Sequence, residues 1–276
     1  TLRKIGGFEK IRINDVIGME NPTKYRNKVQ VPFGEIKGKA ACGFYKLNTH
    51  EIIPLDSCSI QTDEMTEIVK FIKNLCNEYH IRGYNEKLNK GDIRHVLIRE
   101  SIKTGEIMVI LICTKSEYPE LDELVGKLIK RHPRIASVMI NVNKYQTNTI
   151  LGNYFKVLYG RNYIIDELCG LKFKIGCRSF YQVNAYQTEK LYNQAISVGN
   201  FKETDVVIDA YCGIGTIGSA IAKKVKYVYG VEIVEEAIEN AKENAELNGL
   251  TNIFSIIIFQ PHSTLSAVLR FVLLFL

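Results

Sequence analysis

A strand, a glycine turn, a helix and a second strand follow one another between Asp205 and Glu232, and this order limits the fold more than any other feature. The β-branched run at 206–208 is typical of a buried parallel strand. Glycines spaced as G-x-G-x-x-G follow it and lead into a helix, and the second apolar strand ends on Glu232. The segment therefore predicts a β-α-β unit, whose ligand binds in the crevice beyond the carboxyl ends of the strands.

Two ligands suit this geometry, NAD and S-adenosylmethionine, and one carboxylate helps to separate them. Gly213 and Gly215 provide the tight turn, and Glu232 lies about 20 residues further on, where an acid accepts ribose hydroxyls. Asp209 ends the first strand, where its charge would repel a pyrophosphate but attract the ammonium of a methionine moiety. S-adenosylmethionine is therefore favoured. The alternative, in which Asp209 caps a turn and the glycines only allow close packing, stays open at this point.

The composition is that of an ordinary soluble globular protein. The 276 residues allow one large or two modest domains, and 46% of them are hydrophobic and 24% charged. The net charge of +6 permits a nucleic-acid partner without requiring one. The seven cysteines form no C-x-x-C pair, which argues against a disulfide framework and a self-contained zinc site. No signal-peptide pattern is found, so reduced thiols and a cytoplasmic location are expected.

The segments before the glycine turn alternate between strand and helix patterns and predict a small α+β domain. Strand patterns cover residues 29–33, 40–47, 51–55, 93–100, 106–113, 136–142 and 154–159, and helical patterns cover 63–77 and 118–130. Residues 103–105 predict a hairpin turn. Asn184 followed by Gln187 predicts a further helix that begins with a capping box.

A basic turn lies just before the first of these strands. It contains Lys24, Arg26 and Lys28, with Tyr25 among them. These cations are candidates for contact with phosphates, although a solvated charged face is the commoner outcome for such a run. If they do bind a nucleic acid, we expect the binding to be weak and sensitive to salt.

Several short motifs occur in order between residue 1 and about residue 252. They are Asn21-Pro22-x-x-Tyr25-Arg26-Asn27-Lys28, Arg94-His95-Val96-Leu97-Ile98-Arg99, Ser179-Phe180-Tyr181-Gln182-Val183-Asn184, Asp209-Ala210-Tyr211-Cys212-Gly213-Ile214-Gly215-Thr216, Val231-Glu232 and Glu243-Asn244-Ala245-x-x-Asn248-Gly249. Together they resemble the S-adenosylmethionine-dependent RNA uracil-5-methyltransferases, in particular the branch acting on 23S ribosomal RNA. The cofactor motifs are shared with many methyltransferases, whereas Phe-x-Gln-x-Asn before the glycine turn is specific to this group.

The resemblance implies an α/β fold with a Rossmann-like class I methyltransferase sheet, incomplete in this chain and preceded by a small α+β domain. It divides the chain into a central RNA-facing domain at 1–175, the N-terminal part of a methyltransferase domain at 176–252, and an aberrant apolar tail at 253–276. The apolar part of this tail is about a dozen residues long, below the ~20 that a membrane-spanning helix needs. A monomer that binds 23S ribosomal RNA and no membrane is therefore expected.

The resemblance also assigns roles to single residues. It places Gln182 between the cofactor and the flipped uracil, and Phe180 at the wall of the base pocket. Tyr211 and Thr216 would line the cofactor pocket, and Glu232 would hold the ribose of S-adenosylmethionine. Relatives act on a base that has left its stack, because uracil C5 is not accessible within a folded helix.

The chemistry of the family depends on a cysteine that this chain lacks at the corresponding place. In relatives a cysteine thiolate adds to C6 of uracil, which makes C5 nucleophilic enough to take the methyl group. A carboxylate base then removes the C5 proton, and the cysteine is eliminated from C6. Both groups follow the part of the family pattern that ends near residue 252, and this chain has no cysteine after that point. We therefore expect no catalytic residue and no uridine methylation by this chain, and a structural role for Cys212.

Relatives also hold a 4Fe-4S cluster with three closely spaced cysteines and a later fourth. Cys58 matches the fourth ligand, and the chain starts after the positions of the other three, so the cluster is not expected here. The chain thus looks truncated at both ends. Two alternatives remain, a non-catalytic RNA-binding remnant and a dinucleotide-binding oxidoreductase, and Asp209 counts against the second.

Overall fold

The computed structural model describes residues 3–146 and 149–257. The strands and helices, in chain order, are β1 Lys28–Ile36, β2 Lys39–Tyr45, β3 Ile52–Pro54, α1 Asp63–Glu78, β4 Ile93–Glu100, β5 Ile107–Cys113, α2 Leu121–Arg131, β6 Ile135–Val142, β7 Tyr154–Gly160, β8 Tyr163–Leu168, β9 Leu171–Gly176, α3 Ala185–Gly199, β10 Val206–Ala210, α4 Thr216–Ala222, β11 Tyr227–Glu232, α5 Glu235–Leu247 and β12 Ile253–Ile257. None of the helices in these two ranges combines the length and apolar character that a membrane crossing requires.

A seven-stranded sheet forms the larger layer, in the order β3-β2-β1-β4-β5-β6-β7. Neighbouring strands are antiparallel except β5 and β6, which α2 connects in parallel. The predicted hairpin at 103–105 is confirmed, since it joins the antiparallel strands β4 and β5. Alternate residues of β1, among them Val29, Val31 and Phe33, pack in the apolar cluster that includes buried residues of α1 and α2. The predicted α+β arrangement is therefore present ahead of the glycine turn.

Helix α1 shows which features of a sequence predict a helix. The Thr62 side chain accepts a hydrogen bond from the Met65 amide at 3.2 Å, which caps the first turn. Asp63 and Glu64 place negative charge at the positive end of the helix. Buried residues, among them Ile68 and Ile72, form one apolar stripe that faces the sheet. The helix ends within one residue of its predicted limit.

The hairpin of β8 and β9 is an addition that the sequence patterns did not predict. Its two-residue turn consists of Cys169 and Gly170, both at positive φ, at 54° and 71°. The inward side chains, including the fully buried Phe173, join a second apolar cluster on the other face of the large sheet. That cluster also contains Tyr181 and Ile214, so the hairpin packs between the large sheet and the segment of the glycine turn.

Asn244 of α5 and Asn248, the residue that caps the end of this helix, cover the edge of β9 one helical turn apart. Asn244 accepts from the Lys174 amide at 2.7 Å and donates to the Lys174 carbonyl at 3.4 Å. Asn248 repeats the pattern on Lys172, at 2.9 and 2.6 Å. Because α5 supplies these partners, main-chain groups of this edge are bonded without a third strand.

The segment that contains the glycine turn forms a parallel three-stranded sheet in the order β10-β11-β12. The predicted β-α-β unit is therefore confirmed. Strand β12 pairs with β11 in register from Ile253 to Ile257, so the sheet reaches five residues into the range predicted as an apolar tail. The remaining tail residues, 258–276, lie outside the described part of the chain.

The prediction that the first strand is buried was wrong. Val206 is 56% exposed and Ile208 38% exposed, and Phe254 on β12 is 43% exposed. Helix α4 packs on the opposite face, where Val207 and Val228 contact it. Side chains alternate between the two faces of a strand, so Val206 and Ile208 lie on the face opposite the one on which α4 packs.

Helix α3 begins as predicted, but its capping box is incomplete. The Asn184 side chain accepts a hydrogen bond from the Gln187 amide at 3.1 Å. The Gln187 side chain does not return this bond. It donates instead to the Ile17 carbonyl at 2.9 Å, because the segment around residues 17–19 runs alongside the start of the helix.

Candidate functional site

The three glycines of the turn have different roles. Gly213 and Gly215 have φ values of +54° and +81°, which L side chains rarely adopt. Gly218 lies within α4, and a Cβ there would come 3.2 Å from the Asp209 Oδ2 atom and from Val228. The first two glycines therefore shape the turn, and the third brings the helix close to the strands.

Tyr211 stands between the first strand and the turn in an unusual conformation. Its φ is +125°, and its side chain is 84% exposed. The amides of Tyr211 and Cys212 both donate to the Val231 carbonyl, at 2.9 and 3.1 Å, which holds this conformation. A non-glycine residue in such a region costs free energy of about 1–3 kcal/mol and is found most often at functional sites.

The Glu232 carboxylate connects the two loops at the carboxyl ends of the strands. Its Oε2 atom accepts from the Gly213 amide at 3.1 Å, and Oε1 accepts from the amides of Ile233 and Val234 at 2.8 and 3.1 Å. One side chain therefore fixes the glycine turn relative to the start of α5.

Asp209 brings a second carboxylate to the same place. Its Oδ2 atom is buried and makes no hydrogen bond within the described residues. Burial raises the pKa of this carboxyl, and the negative charge of Glu232 raises it further, while the main-chain amide of Gly218 acts in the opposite direction. A buried carboxylate oxygen without a donor is a site that a ligand with N–H groups or positive charge would satisfy.

Thr216 is held by helix α3. Its hydroxyl lies 2.8 Å from the Tyr192 hydroxyl. Tyr192, Tyr181 and Ile214 share the second apolar cluster, so the glycine turn packs against the segment 177–184 that precedes α3. The structure therefore brings the two predicted halves of the site onto one cluster.

Within the segment 177–184, Phe180 is 73% exposed, whereas its neighbour Tyr181 is buried. The Arg99 guanidinium donates to the Ser179 carbonyl, and to the Cys177 carbonyl at 3.4 Å. The Gln182 carbonyl accepts from the Asn27 side chain at 2.9 Å. The segment is thus fixed through its main chain to β4 and to the residue before β1.

Cys212 and Cys58 differ in their surroundings. Cys212 is 7% exposed, and burial together with the carboxylates of Asp209 and Glu232 raises the pKa of its thiol to about 12. This environment disfavours a thiolate. Cys58 is half-buried, and its carbonyl accepts from Lys24 at 2.9 Å. Among the described residues there is no group of three or more side chains that could hold a metal ion, and the match of Cys58 to a cluster ligand stays a prediction.

The basic turn before β1 is not one free surface. The Lys24 ammonium pairs with Asp63 at 2.5 Å, so its charge is compensated within the protein. The Arg26 Nε donates to the Lys28 carbonyl at 2.9 Å. Lys28 alone of the three makes no side-chain hydrogen bond or ion pair in the ranges that the structure describes.

Strand order, glycine turn and paired carboxylates together define a class I S-adenosylmethionine-dependent methyltransferase fold. A solved structure with a similar fold is that of the Pyrococcus abyssi tRNA (uracil-54, C5)-methyltransferase in complex with S-adenosyl-L-homocysteine. The TM-score is 0.72 at 24% identity, over 87% of this chain and 56% of that chain. The predicted Rossmann-like fold with its preceding α+β layer is therefore confirmed.

The chain is also similar in sequence to proteins that are named RNA methyltransferases. Residues 201–256 match the methyltransferase domain family. A protein of Halalkalibacterium halodurans named uncharacterized RNA methyltransferase is 46% identical over 252 residues, or 91% of this chain and 55% of the relative. One of the same name from Oceanobacillus iheyensis is 43% identical over 253 residues, again 91% and 55%. The chain thus spans about half the length of these relatives, and the predicted resemblance to RNA methyltransferases is confirmed.

Two residues important for the site had no assigned role at the level of sequence. Tyr192 holds Thr216, and Asn244 donates to the Ile214 carbonyl at 3.2 Å within the glycine turn. Asn244 lay in a motif of the family resemblance, and its spacing of four residues from Asn248 was a signal that both face one side of a helix.

Proposed function

We propose that the chain serves S-adenosylmethionine-dependent methylation of C5 of uridine in RNA, with 23S ribosomal RNA as the substrate class. The observation that carries this proposal is the pair of carboxylates at the glycine turn, next to the segment with Phe180 and Gln182. S-adenosylmethionine supplies a methyl group on a sulfonium centre, and it carries an ammonium group and a ribose but no phosphate.

The residues present fit this cofactor better than a dinucleotide. Asp209 offers a buried oxygen without a donor, which suits the cofactor ammonium. Glu232 would accept from the ribose hydroxyls with the lone pairs that its three main-chain bonds leave free. Two carboxylates at one turn would repel a pyrophosphate, which counts against the alternative of a dinucleotide-binding oxidoreductase. Tyr211 and Thr216 would line the same pocket.

The substrate side of the proposal rests on the segment 177–184. Phe180 is an exposed aromatic ring, of the kind on which unstacked RNA bases stack. Gln182 has its main chain fixed by Asn27, so its amide would be positioned between the base and the methyl donor. All described cysteines are free thiols, as is usual for cytoplasmic proteins, and we propose a cytoplasmic location. The monomeric state stays a prediction.

We propose that the chain of 276 residues alone does not complete the transfer of the methyl group to uracil C5. The thiol nearest the cofactor in sequence, Cys212, has a pKa raised to about 12 and is packed inside the turn. Its thiolate fraction at neutral pH is too small for attack on uracil C6.

The test is calorimetric titration of the chain with S-adenosylmethionine, S-adenosylhomocysteine and NAD. We expect the first two to bind and NAD not to bind. Glu232→Gln should weaken binding about 10- to 100-fold, since it removes a charge-assisted acceptor. Glu235→Gln, which removes the same charge from the first turn of α5, is the matched control. NAD binding, or equal affinity for both variants and the wild type, would contradict the assignment.

A further inference from the structure

Three cations, Arg26, Lys28 and Arg99, lie together beside the segment that carries Phe180, and we call them the cationic cluster. Lys28 and Arg99 are direct partners on the antiparallel strands β1 and β4. Side chains of such partners lie on the same face with Cβ atoms about 4.5–5.5 Å apart, and like charges there destabilise a sheet. Lys28 thus occupies a position that folding alone disfavours for a cation.

This cluster has no carboxylate partner among the residues that the structure describes. None of the ion pairs within residues 3–146 and 149–257 includes Arg26, Lys28 or Arg99. Burial, Arg99 and Arg26 together lower the pKa of Lys28 to about 8. The cluster is therefore a region of positive charge that its protein surroundings leave unneutralised.

The cluster is also adjacent to the candidate substrate residues. Arg99 is buried and donates to the carbonyls of Cys177 and Ser179, directly before Phe180. Asn27, next to Lys28 in the chain, bonds to the carbonyls of Gln182 and Val183. Lys28 is only half-buried, so it is the member of this pair that an external anion can reach.

We propose that the cationic cluster binds a backbone phosphate of the RNA whose base meets Phe180, with Lys28 as the contacting residue. This inference rests on the proposed function, because it takes RNA as the substrate. Arg99 contributes its field and fixes the segment, while Lys28 donates to the phosphate oxygens. A phosphate supplies the negative charge that offsets the repulsion between Lys28 and Arg99. Lys24, which Asp63 neutralises, is not part of this site.

The experiment compares RNA affinity and stability in the same variants. Fluorescence anisotropy with a labelled single-stranded uridine-rich RNA of about 12 nucleotides gives the affinity. Lys28→Met should weaken binding about 5- to 10-fold and lower the salt slope by about 0.7, as expected for one lost phosphate contact on a single strand. Its urea midpoint should be equal to or above that of the wild type, because a repulsive charge is gone.

Lys70→Met is the matched control, since it removes one positive charge from α1, where Lys70 is paired with Glu67. Its RNA affinity should stay within about twofold of the wild type. Lys28→Arg should retain the RNA affinity that Lys28→Met loses, because it keeps the positive charge. Equal affinity of Lys28→Met and Lys70→Met, with RNA bound by both, would overturn this inference and leave the proposed RNA substrate intact. A wild-type chain that binds no RNA would overturn both.

Inorganic phosphate is the second probe, because a free phosphate has the same chemistry as the RNA backbone. At equal ionic strength, phosphate should displace the RNA only slightly better than chloride does, because one phosphate replaces only one of the contacts that the strand makes. Full displacement of the RNA by micromolar phosphate, in the wild type but not in Lys28→Met, would show a site built for free phosphate and would overturn the assignment to RNA. A Lys28→Met variant with a lowered urea midpoint and unchanged affinity would also overturn it, since Lys28 would then serve only the fold.

Discussion

Replacement of Asn244 should cost more stability than its single side chain suggests. The residue is fully buried, and its side chain takes part in three hydrogen bonds with main-chain groups. They join α5 to β9 through Lys174 and to the glycine turn through Ile214. Asn244→Leu preserves the approximate volume but leaves the Lys174 amide and the carbonyls of Lys174 and Ile214 without this partner.

The magnitude follows from the number of groups and their burial. A buried donor or acceptor without a partner costs about 1–3 kcal/mol, and a carbonyl with a second bond costs less than an amide. We therefore expect Asn244→Leu to lower the free energy of unfolding by about 3–5 kcal/mol. That is a large share of the 5–15 kcal/mol that typical domains possess.

Asn248→Leu is the matched control, because Asn248 bonds to Lys172 in the same way one turn later. Lys172 is exposed, so water replaces the lost partner and the cost should be about 1 kcal/mol or less. Urea denaturation followed by circular dichroism measures both variants. Hydrogen exchange of the Lys174 amide should accelerate at least roughly 100-fold in Asn244→Leu, since a loss of about 3 kcal/mol corresponds to about two factors of ten.

The reasoning is refuted if Asn244→Leu is no less stable than Asn248→Leu. It is also refuted if the Lys174 amide keeps its protection while the whole chain loses stability, because the damage would then lie elsewhere. A functional consequence accompanies the structural one. Since the Ile214 carbonyl belongs to the glycine turn, Asn244→Leu should also reduce affinity for S-adenosylmethionine, whereas Asn248→Leu should not.

Two further predictions concern titrating groups. Cys42, Cys76 and Cys212 should react slowly with Ellman's reagent near pH 8, because burial raises the pKa of their thiols to about 11, 12 and 12. The half-buried Cys58 should react first. Rapid reaction of all the cysteines in native buffer would contradict this prediction. Folding lowers the pKa of Lys28 from 10.5 to about 8, so the folded state binds fewer protons between these values and wild-type stability rises with pH relative to Lys28→Met. Because Lys28 stays partly solvated, Lys28→Met should exceed the wild type in free energy of unfolding at neutral pH by only about 1 kcal/mol. Urea unfolding of both proteins should show this difference shrinking between about pH 8 and 10.5. A difference that grows with pH would contradict the assignment.

The elements that the sequence predicted well are those with a regular hydrophobic pattern and a clear capping residue or turn. Helix α1 has an apolar stripe, an N-cap at Thr62 and acids in its first turn, and β4 and β5 are continuous apolar runs around a turn. The β8–β9 hairpin was missed although its alternation and the turn at Cys169 and Gly170 were present. The alternation is regular in β9, but β8 departs from it, because the charged Asp166 lies on its buried face.

Burial was harder to predict than secondary structure, because it depends on what packs on each face. Val206 and Ile208 form the same β-branched run whether one face or both are covered, and the run itself carries no signal for the difference. The same limit applies to charge. Lys24 and Lys28 belong to one basic turn, yet Asp63 neutralises the first and Arg99 opposes the second, and both partners are distant in sequence.

The glycine turn depends on side chains outside it, and this has a consequence for ligand affinity. Glu232 accepts from Gly213, Asn244 donates to Ile214 and Tyr192 holds Thr216, so three elements specify the turn before any ligand arrives. A loop ordered in advance loses less conformational freedom on binding, which favours affinity. Tyr211 is the contrast, because its ring is exposed while its main chain is held at positive φ. The cost of that conformation falls on the folded protein, and contact of the exposed ring with a ligand is the interaction that would offset it.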